Sequence, residues 1–342
     1  MRIAVMGAGA LGIVIGGLLA AAGRDVVLVT AGESGAAALN ANGAVITGAV
    51  EAVVPVRAVT PAGLAGRYDL VFLLTKLGAA AEALRQLLPH LHAASTVCTL
   101  QNGMPEEEVA AVVGPERTVG GVVLIGATRP APGVSRITSA GEVLRGHAFE
   151  IGEPDGRLTP RIEAVRAVLA DVGGCRVVDN LTAIRWAKLL LNASSGALTA
   201  ALGRPCSAIL ANREAVTAAV RVADEAVRVA HACGSHLAPL QGRDPELFAI
   251  RPGDRLDAKL ALYRDWLAPY GDTKGSMLQD LENGRKTEID HINGYICRKG
   301  GEKGVPTPYN RRVVAIVTQA EGAGRVPDFA ASLAVLAAPL PS

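Results

Sequence analysis

The chain has 342 residues, half of them apolar and 19% charged, which excludes a disordered chain and is too long for most single cores. Its 34 basic and 32 acidic residues are interspersed and leave a net charge of +2, so no nucleic-acid surface is expected. Five scattered cysteines (98, 175, 206, 233 and 297), without a CxxC, exclude a disulfide framework and a zinc site and suit a cytoplasmic protein.

In chain order, Arg2–Met6 is a short apolar run that reads as a strand, followed by Gly7-Ala-Gly-Ala-Leu-Gly12. An Ala-rich stretch from Ile13 to Ala22 reads as a helix ended by Gly23, and Asp25–Thr30 reads as a second strand. In this arrangement Gly7 turns the chain sharply off the strand. Gly9 leaves room for a pyrophosphate to approach the backbone, and Gly12 lets the helix lie close on the sheet. The helix N-terminus then offers N–H groups and a partial positive charge to phosphates. The uncharged stretch from Ile3 to Gly23 is long enough for a membrane span, and Arg2 before an apolar run resembles a signal peptide. Neither reading explains three glycines at this spacing followed at once by Asp25-Val-Val-Leu-Val-Thr30.

After Thr30 a polar turn leads into a short helix ending near Asn42-Gly43, with small strands near Val45 and Val53. Tyr68–Thr75 and Ser95–Leu100 are continuous apolar runs suited to buried parallel strands, and Lys76 and Gln101-Asn102-Gly103 follow them directly. Helices are predicted over Gly78–Leu88, Pro105–Val113 and Pro160–Val172, and strands over Thr118–Ile125 and Cys175–Val178. Two runs near Val134–Thr138 and Val143–Ile151 read as antiparallel strands. The alternation predicts a right-handed βαβ sheet, with ligands outside the carboxyl ends of its strands, where Gly7–Gly12, Lys76 and Asn102 all fall. Taken singly, Lys76 is more often a solvated loop lysine and Asn102-Gly103 more often a plain turn.

From Leu181 helical periodicity dominates: 182–201, 213–233, 255–267, 276–298 with a break at Asn283-Gly284, and 310–319. The fold class is therefore an α/β dinucleotide-binding domain of Rossmann type (residues 1–178), an all-α domain (179–326) and a tail (327–342) with no assigned role. Leu237–Lys274, rich in Pro, Gly and charge, reads as an elaborated loop. Lys188 and Asn192 lie four apart on one face of an apolar helix, so Lys188 either snorkels to water or faces a cleft. Ser276 with Gln279 fits a capping box, and Thr287 with Asp290 resembles a second cap. Glu288 then falls in the first turn of a new helix, close in space to Ser276, where the helix dipole also favours its charge.

The glycine-rich start, Gln101-Asn-Gly103, Lys188-xxx-Asn192, Ser276-Met-Leu-Gln-Asp280, Thr287-Glu-Ile-Asp290 with Asn293-Gly294, and Gly304-Val-Pro-Thr-Pro-Tyr-Asn310 together resemble the ketopantoate reductase family over about residues 1–322. The resemblance implies a Rossmann domain joined to a helical domain with the active site in the cleft between them. It also implies reduction of 2-dehydropantoate to pantoate with NADPH, on the path to pantothenate and coenzyme A. By the same resemblance Lys188 is the general acid. Glu288 binds the substrate hydroxyl and holds Lys188, Ser276 binds the substrate carboxylate, and Asn192 and Asn102 orient substrate and cofactor. The cofactor-binding set is Gly7, Ala8, Gly9, Ala10, Leu11 and Gly12, with Thr30, Lys76 and Asn102. The chemistry agrees: hydride addition to a ketone leaves an alkoxide that needs a proton, and a desolvated lysine can supply one. No metal is required, and the histidines show no metal-ligand spacing.

Two positions depart from the family pattern. The family's arginine after the second strand, which grips the 2′-phosphate of NADPH, is replaced here by Thr30-Ala31-Gly32-Glu33, which leaves NADH open as the cofactor. Where the family often has a second asparagine on the catalytic helix, this chain has Gly196. With the segment 237–274, this keeps a reductase of a different 2-oxo acid as an alternative, and a non-catalytic dinucleotide-binding regulator ranks below it. The expected partner is a small 2-oxo acid, with neither nucleic acid nor membrane; the oligomeric state stays open, a homodimer included.

Overall fold

The structure, a computed structural model, describes residues 1–339 and divides into two compact units, residues 1–181 and the remainder from Thr182. The first unit runs β1 (Arg2–Met6), α1 (Ala10–Ala21), β2 (Asp25–Val29), α2 (Glu33–Asn42), β3 (Ala44–Gly48), β4 (Ala52–Val54), β5 (Arg57–Val59), β6 (Tyr68–Leu73), α3 (Ala80–Leu87), β7 (Leu91–Thr99), α4 (Glu106–Val113), β8 (Thr118–Val123), β9 (Ala127–Ala131), β10 (Val134–Ile137), α5 (Gly141–His147), β11 (Phe149–Gly152), α6 (Pro160–Leu169) and β12 (Cys175–Val177). Eight strands form one sheet in the order β12-β11-β8-β7-β6-β1-β2-β5, parallel except where β8 meets β11. Along β1, Ile3 and Val5 join the core on one face with α1 and α6, and Ala4 and Met6 join the core on the other with α3 and α4. Apolar residues at successive positions are what a strand covered on both faces requires.

The other four strands, in the order β4-β3-β10-β9, form a second sheet. Helix α1 packs against β2 of the large sheet and against β3, β9 and β10 of the small one. It is covered on both sides, which accounts for its lack of charge without a membrane. Its 12 residues fall short of a bilayer, and among the described residues no helix is long and apolar enough to cross one.

The run 143–151 is not the strand expected there. Residues 141–147 form α5, with Glu142 and Arg145 one helical turn apart on its exposed side and Leu144 buried. Only Phe149–Gly152 is extended, and it pairs antiparallel with β8 in the large sheet. The antiparallel partner of β10 is β9.

The second unit is helical: α7 (Leu181–Leu191), α8 (Ala197–Leu202), α9 (Cys206–Ala211), α10 (Arg213–Ala232), α11 (Leu256–Leu267), α12 (Ser276–Glu282), α13 (Asn293–Lys303), α14 (Pro308–Ala323) and α15 (Phe329–Ala337). Helix α10 is the hub, packed by α11, α13, α14 and α15. Its Glu225, 1% exposed, accepts from the backbone N–H groups of Tyr309 and Asn310 at 2.9 Å and from Asn310 Nδ2 at 2.7 Å. Asn293 Nδ2 donates to Asn310 Oδ1 at 2.9 Å. One buried carboxylate thereby satisfies the first turn of α14 and ties three helices together.

Segment 237–274 is more than a loop. It carries a short 3₁₀ turn, Pro245–Phe248, and α11, and buries Phe248, Tyr263 and Trp266. Phe248 stacks on Trp266 at a centroid separation of 5.0 Å and meets Tyr263 edge-on at 5.6 Å. The expected tail also carries structure. Helix α15, N-capped by Asp328, packs on α8, α10 and α14, and Arg312 donates to the carbonyls of Leu336, Ala338 and Pro339 at its end. Residues 340–342 of the expected tail lie outside the described residues.

Candidate active site

In the first unit the site residues gather where β1, β2, β6 and β7 end. Gly7 has φ +109°, and a Cβ there would stand 2.7 Å from the Leu74 carbonyl carbon and the Thr75 nitrogen, so only glycine fits. The amides of Gly7 and Ala8 both donate to Val29 O, at 3.1 and 2.9 Å, which fixes the turn to the end of β2. A side chain at Gly12 would overlap Gly7 O, whereas one at Gly9 would meet nothing within 4 Å. Ile13 N donates to Gly9 O at 2.9 Å as α1 begins, so the amides of Ala10, Leu11 and Gly12 precede that first helical bond. No acidic residue or side-chain cap occupies this helix N-terminus. A flat approach over Gly9 and a row of first-turn amides are what a dinucleotide pyrophosphate needs, and the turn fits that group.

Lys76 follows β6 and is exposed; Asn102 follows β7 and is half-buried. Gln101, which the sequence offers only as part of the Gln101-Asn-Gly103 motif, joins the two strand ends. Its Nε2 donates to Thr75 O at 2.8 Å, and its Oε1 accepts from Thr99 Oγ1 at 3.0 Å. Gln101 therefore clamps the end of β7 to the end of β6 and sets the two segments that carry Asn102 and Lys76. At the end of β2 the buried Thr30 donates its hydroxyl to Gly32 O at 2.9 Å. Glu33, which opens α2, accepts from Thr60 Oγ1 at 3.0 Å.

In the helical unit, α7 and α8 are joined by a five-residue π turn, Asn192–Gly196, where an unbroken α-helix was expected. Asn192, Ser194, Ser195 and Gly196 concentrate poorer helix formers amid Leu and Ala, the one signal in the sequence that marks it. Its carbonyls are taken up by side chains from distant segments: Ser194 O by the buried Tyr263 hydroxyl at 2.7 Å and Ala193 O by Asn293 Nδ2 at 3.3 Å. Thr199 Oγ1 takes Gly196 O at 2.7 Å. A π turn of this kind is frequent where a helix must present side chains to a site. Here it begins at Asn192, one turn after Lys188.

Burial pushes the Lys188 ammonium from 10.5 to about 7; the Arg185 guanidinium adds to the fall, and the Glu288 carboxylate opposes it. Lys188 and Glu288 are thus brought within electrostatic reach. Glu288 itself does not lie within a new α-helix as expected: it caps a 3₁₀ turn, Ile289–His291, and α13 starts only at Asn293. The preceding Thr287 fixes it, donating through both N and Oγ1 to Glu321 at 2.7 and 2.5 Å. Ser276 opens α12 and is exposed, and the capping box expected of it is not formed. Gln279 reaches instead to Lys274 O, at 2.9 Å. Ser276 is set by Gly275, whose N–H donates to Thr199 Oγ1 at 3.1 Å and whose Cα lies so close to the π turn that a Cβ would stand 2.6 Å from Gly196 O.

Residues 3–148 match the family described as "Ketopantoate reductase PanE/ApbA", and residues 180–321 its C-terminal counterpart. A 2-dehydropantoate 2-reductase of Archaeoglobus fulgidus is 31% identical over 94% of this chain and 98% of its own. The crystal structure of 2-dehydropantoate 2-reductase from Geobacter metallireducens is 30% identical, covers 94% of this chain and 100% of its own, and superposes with a TM-score of 0.78. A D-mandelate dehydrogenase crystallised with NADH and anilino(oxo)acetate shares the fold, with a TM-score of 0.80 at 22% identity over 95% of this chain and 99% of its own. With the glycine turn, the strand-end residues and the Lys188–Glu288 pair in place, these likenesses establish that the chain belongs to the ketopantoate reductase family and is an NAD(P)H-dependent oxidoreductase.

Proposed function

We propose that the protein reduces 2-dehydropantoate to pantoate with NADPH, and that Lys188 is the proton donor. The observation that carries the reading is a lysine held by burial near pH 7 beside a carboxylate, on a helix interrupted at the next turn. Residues Gly7–Gly12 would hold the pyrophosphate, with Thr30, Lys76 and Asn102 along the rest of the dinucleotide. The bound reduced nicotinamide supplies the hydride.

Everything else is the work of this chain. Asn192 and Ser276 hold the 2-oxo acid, Ser276 through its carboxylate. Glu288 accepts the substrate hydroxyl and keeps Lys188 partly protonated against the pull of burial. As negative charge develops on the ketone oxygen, Lys188 Nζ stabilises it and delivers a proton. A lysine that titrates near neutrality matches proton affinity to working pH better than one at its ordinary value.

One observation favours a second substrate. A side chain at Gly196 would meet nothing within 4 Å, so this chain has open space where the family pattern often places an asparagine. A 2-oxo acid bulkier than 2-dehydropantoate fits that space. NADPH and NADH oxidation should be followed with purified protein on 2-dehydropantoate and on a panel of larger 2-oxo acids. Fast turnover of 2-dehydropantoate with NADPH supports the first reading, and turnover confined to larger acids supports the second. Full retention of turnover by Lys188→Ala would overturn the mechanism in either case.

A further inference from the structure

Away from the residues above, and against the expectation that the histidines show no metal-ligand spacing, three side chains converge at the far end of α10. His231 lies in its last turn, His236 follows in the loop, and Glu246 projects from the 3₁₀ turn Pro245–Phe248. Their ligand atoms all lie within 4.8 Å of one another. His231 Nε2 stands 2.8 Å from Glu246 Oε2, and His236 Nδ1 stands 3.7 Å from Glu246 Oε1. The two imidazole rings tilt together with centroids 4.8 Å apart.

The carboxylate is not loose. Leu237 N donates to Glu246 Oε1 at 2.7 Å, and Glu246 N is capped by Asp244 Oδ1 at 2.9 Å. Leu237 therefore holds the carboxylate in place against the two histidines, the outer-shell arrangement that tunes a ligating carboxylate. Zinc bonds to imidazole and carboxylate of about 2.0–2.1 Å in a tetrahedron place donors about 3.3 Å apart. The observed separations bracket that value, so the ion needs only a small closing movement of an exposed loop.

We propose that His231, His236 and Glu246 form a binding site for a divalent transition-metal ion, with zinc as the ion it takes. Two imidazole nitrogens and one carboxylate oxygen are a borderline-soft donor set that selects zinc over magnesium or calcium. Three protein ligands leave the fourth position to water. The ion's effect is to staple the start of segment 237–274 to the end of α10. That segment also reaches the π turn through Tyr263.

The test is calorimetric titration of the untagged, full-length, chelator-treated chain with zinc chloride, with thermal unfolding read alongside. The expected result is about one zinc per chain and a raised unfolding midpoint, with no response to magnesium. His236→Ala is the informative variant, because its side chain is 86% exposed and its loss leaves the His231–Glu246 contact intact. It should fold as the parent does and weaken zinc binding at least about tenfold. Cys233→Ser, two residues from His231, should bind zinc as the parent does. No binding, an equal response to magnesium, binding unchanged in His236→Ala, or binding lost in Cys233→Ser would each overturn the proposal, the last by showing capture through a thiol.

Discussion

The sharpest consequence of the half-buried, desolvated lysine is a pH dependence that a surface lysine does not give. On the proposed mechanism Lys188 must carry a proton to donate one, and desolvation sets its midpoint near 7. From about pH 7 to about pH 9 the protonated fraction falls from about one half to about one hundredth, so kcat/KM should fall about fiftyfold. The quantity to follow is kcat/KM, from the loss of reduced-nicotinamide absorbance, because it reports the free enzyme and is insensitive to slow product release. The neighbours supply a second, signed expectation. Glu288 holds the midpoint up, so Glu288→Gln should move the break to lower pH whatever it does to the rate. A profile flat to about pH 9, or a break that moves alkaline in Glu288→Gln, would refute Lys188 as the acid.

Lys188 also links pH to stability. Its folded midpoint lies below the unfolded one, so the unfolded chain binds the extra proton between about pH 7 and 10.5, and stability rises with pH across that window. Thermal unfolding should show Lys188→Met more stable than the parent at neutral pH, with the gap closing by roughly 1.4 kcal/mol per pH unit toward alkaline. Gly9→Ala should leave stability within about 0.5 kcal/mol, since its Cβ meets nothing, yet weaken dinucleotide binding about tenfold or more by fluorescence titration. Glu225→Ala strips acceptors from two backbone amides and Asn310, and should cost roughly 3 kcal/mol in chemical unfolding. Glu225→Gln should recover part of that loss because it keeps one acceptor oxygen.

The elements legible in the sequence were those whose cause is local. The glycine turn declares itself because Gly7 and Gly12 each answer a backbone requirement within a few residues or at the adjacent strand, while Gly9 leaves the approach open. The parallel strands declare themselves because both faces are apolar. What stayed hidden depends on partners far along the chain. The π turn at 192–196 is held by Tyr263 and Asn293, 69 and 100 residues from the carbonyls they satisfy. The Ser276–Gln279 cap looked sound as a local pattern but lost to the packing of Gly275 on that turn. Residues 141–147 were ambiguous because a single buried leucine distinguishes neither period. Glu225 gave no signal at all: a glutamate on an amphipathic helix reads as solvated until α14 is seen to begin on it.

Gly196 and Gly275 face each other almost backbone to backbone, yet the contact is one-sided. A methyl group added at 275 collides with main-chain and hydroxyl atoms, while one added at 196 enters vacant space. For anyone reshaping this enzyme by directed evolution, the pair is therefore a fixed post and an adjustable one. Variants at 275 will be lost to misfolding before their selectivity can be read. A saturation library at 196 should yield mostly folded proteins, each with a differently filled volume beside Asn192. On the proposed function, that one codon is the place to alter the size of the 2-oxo acid accepted.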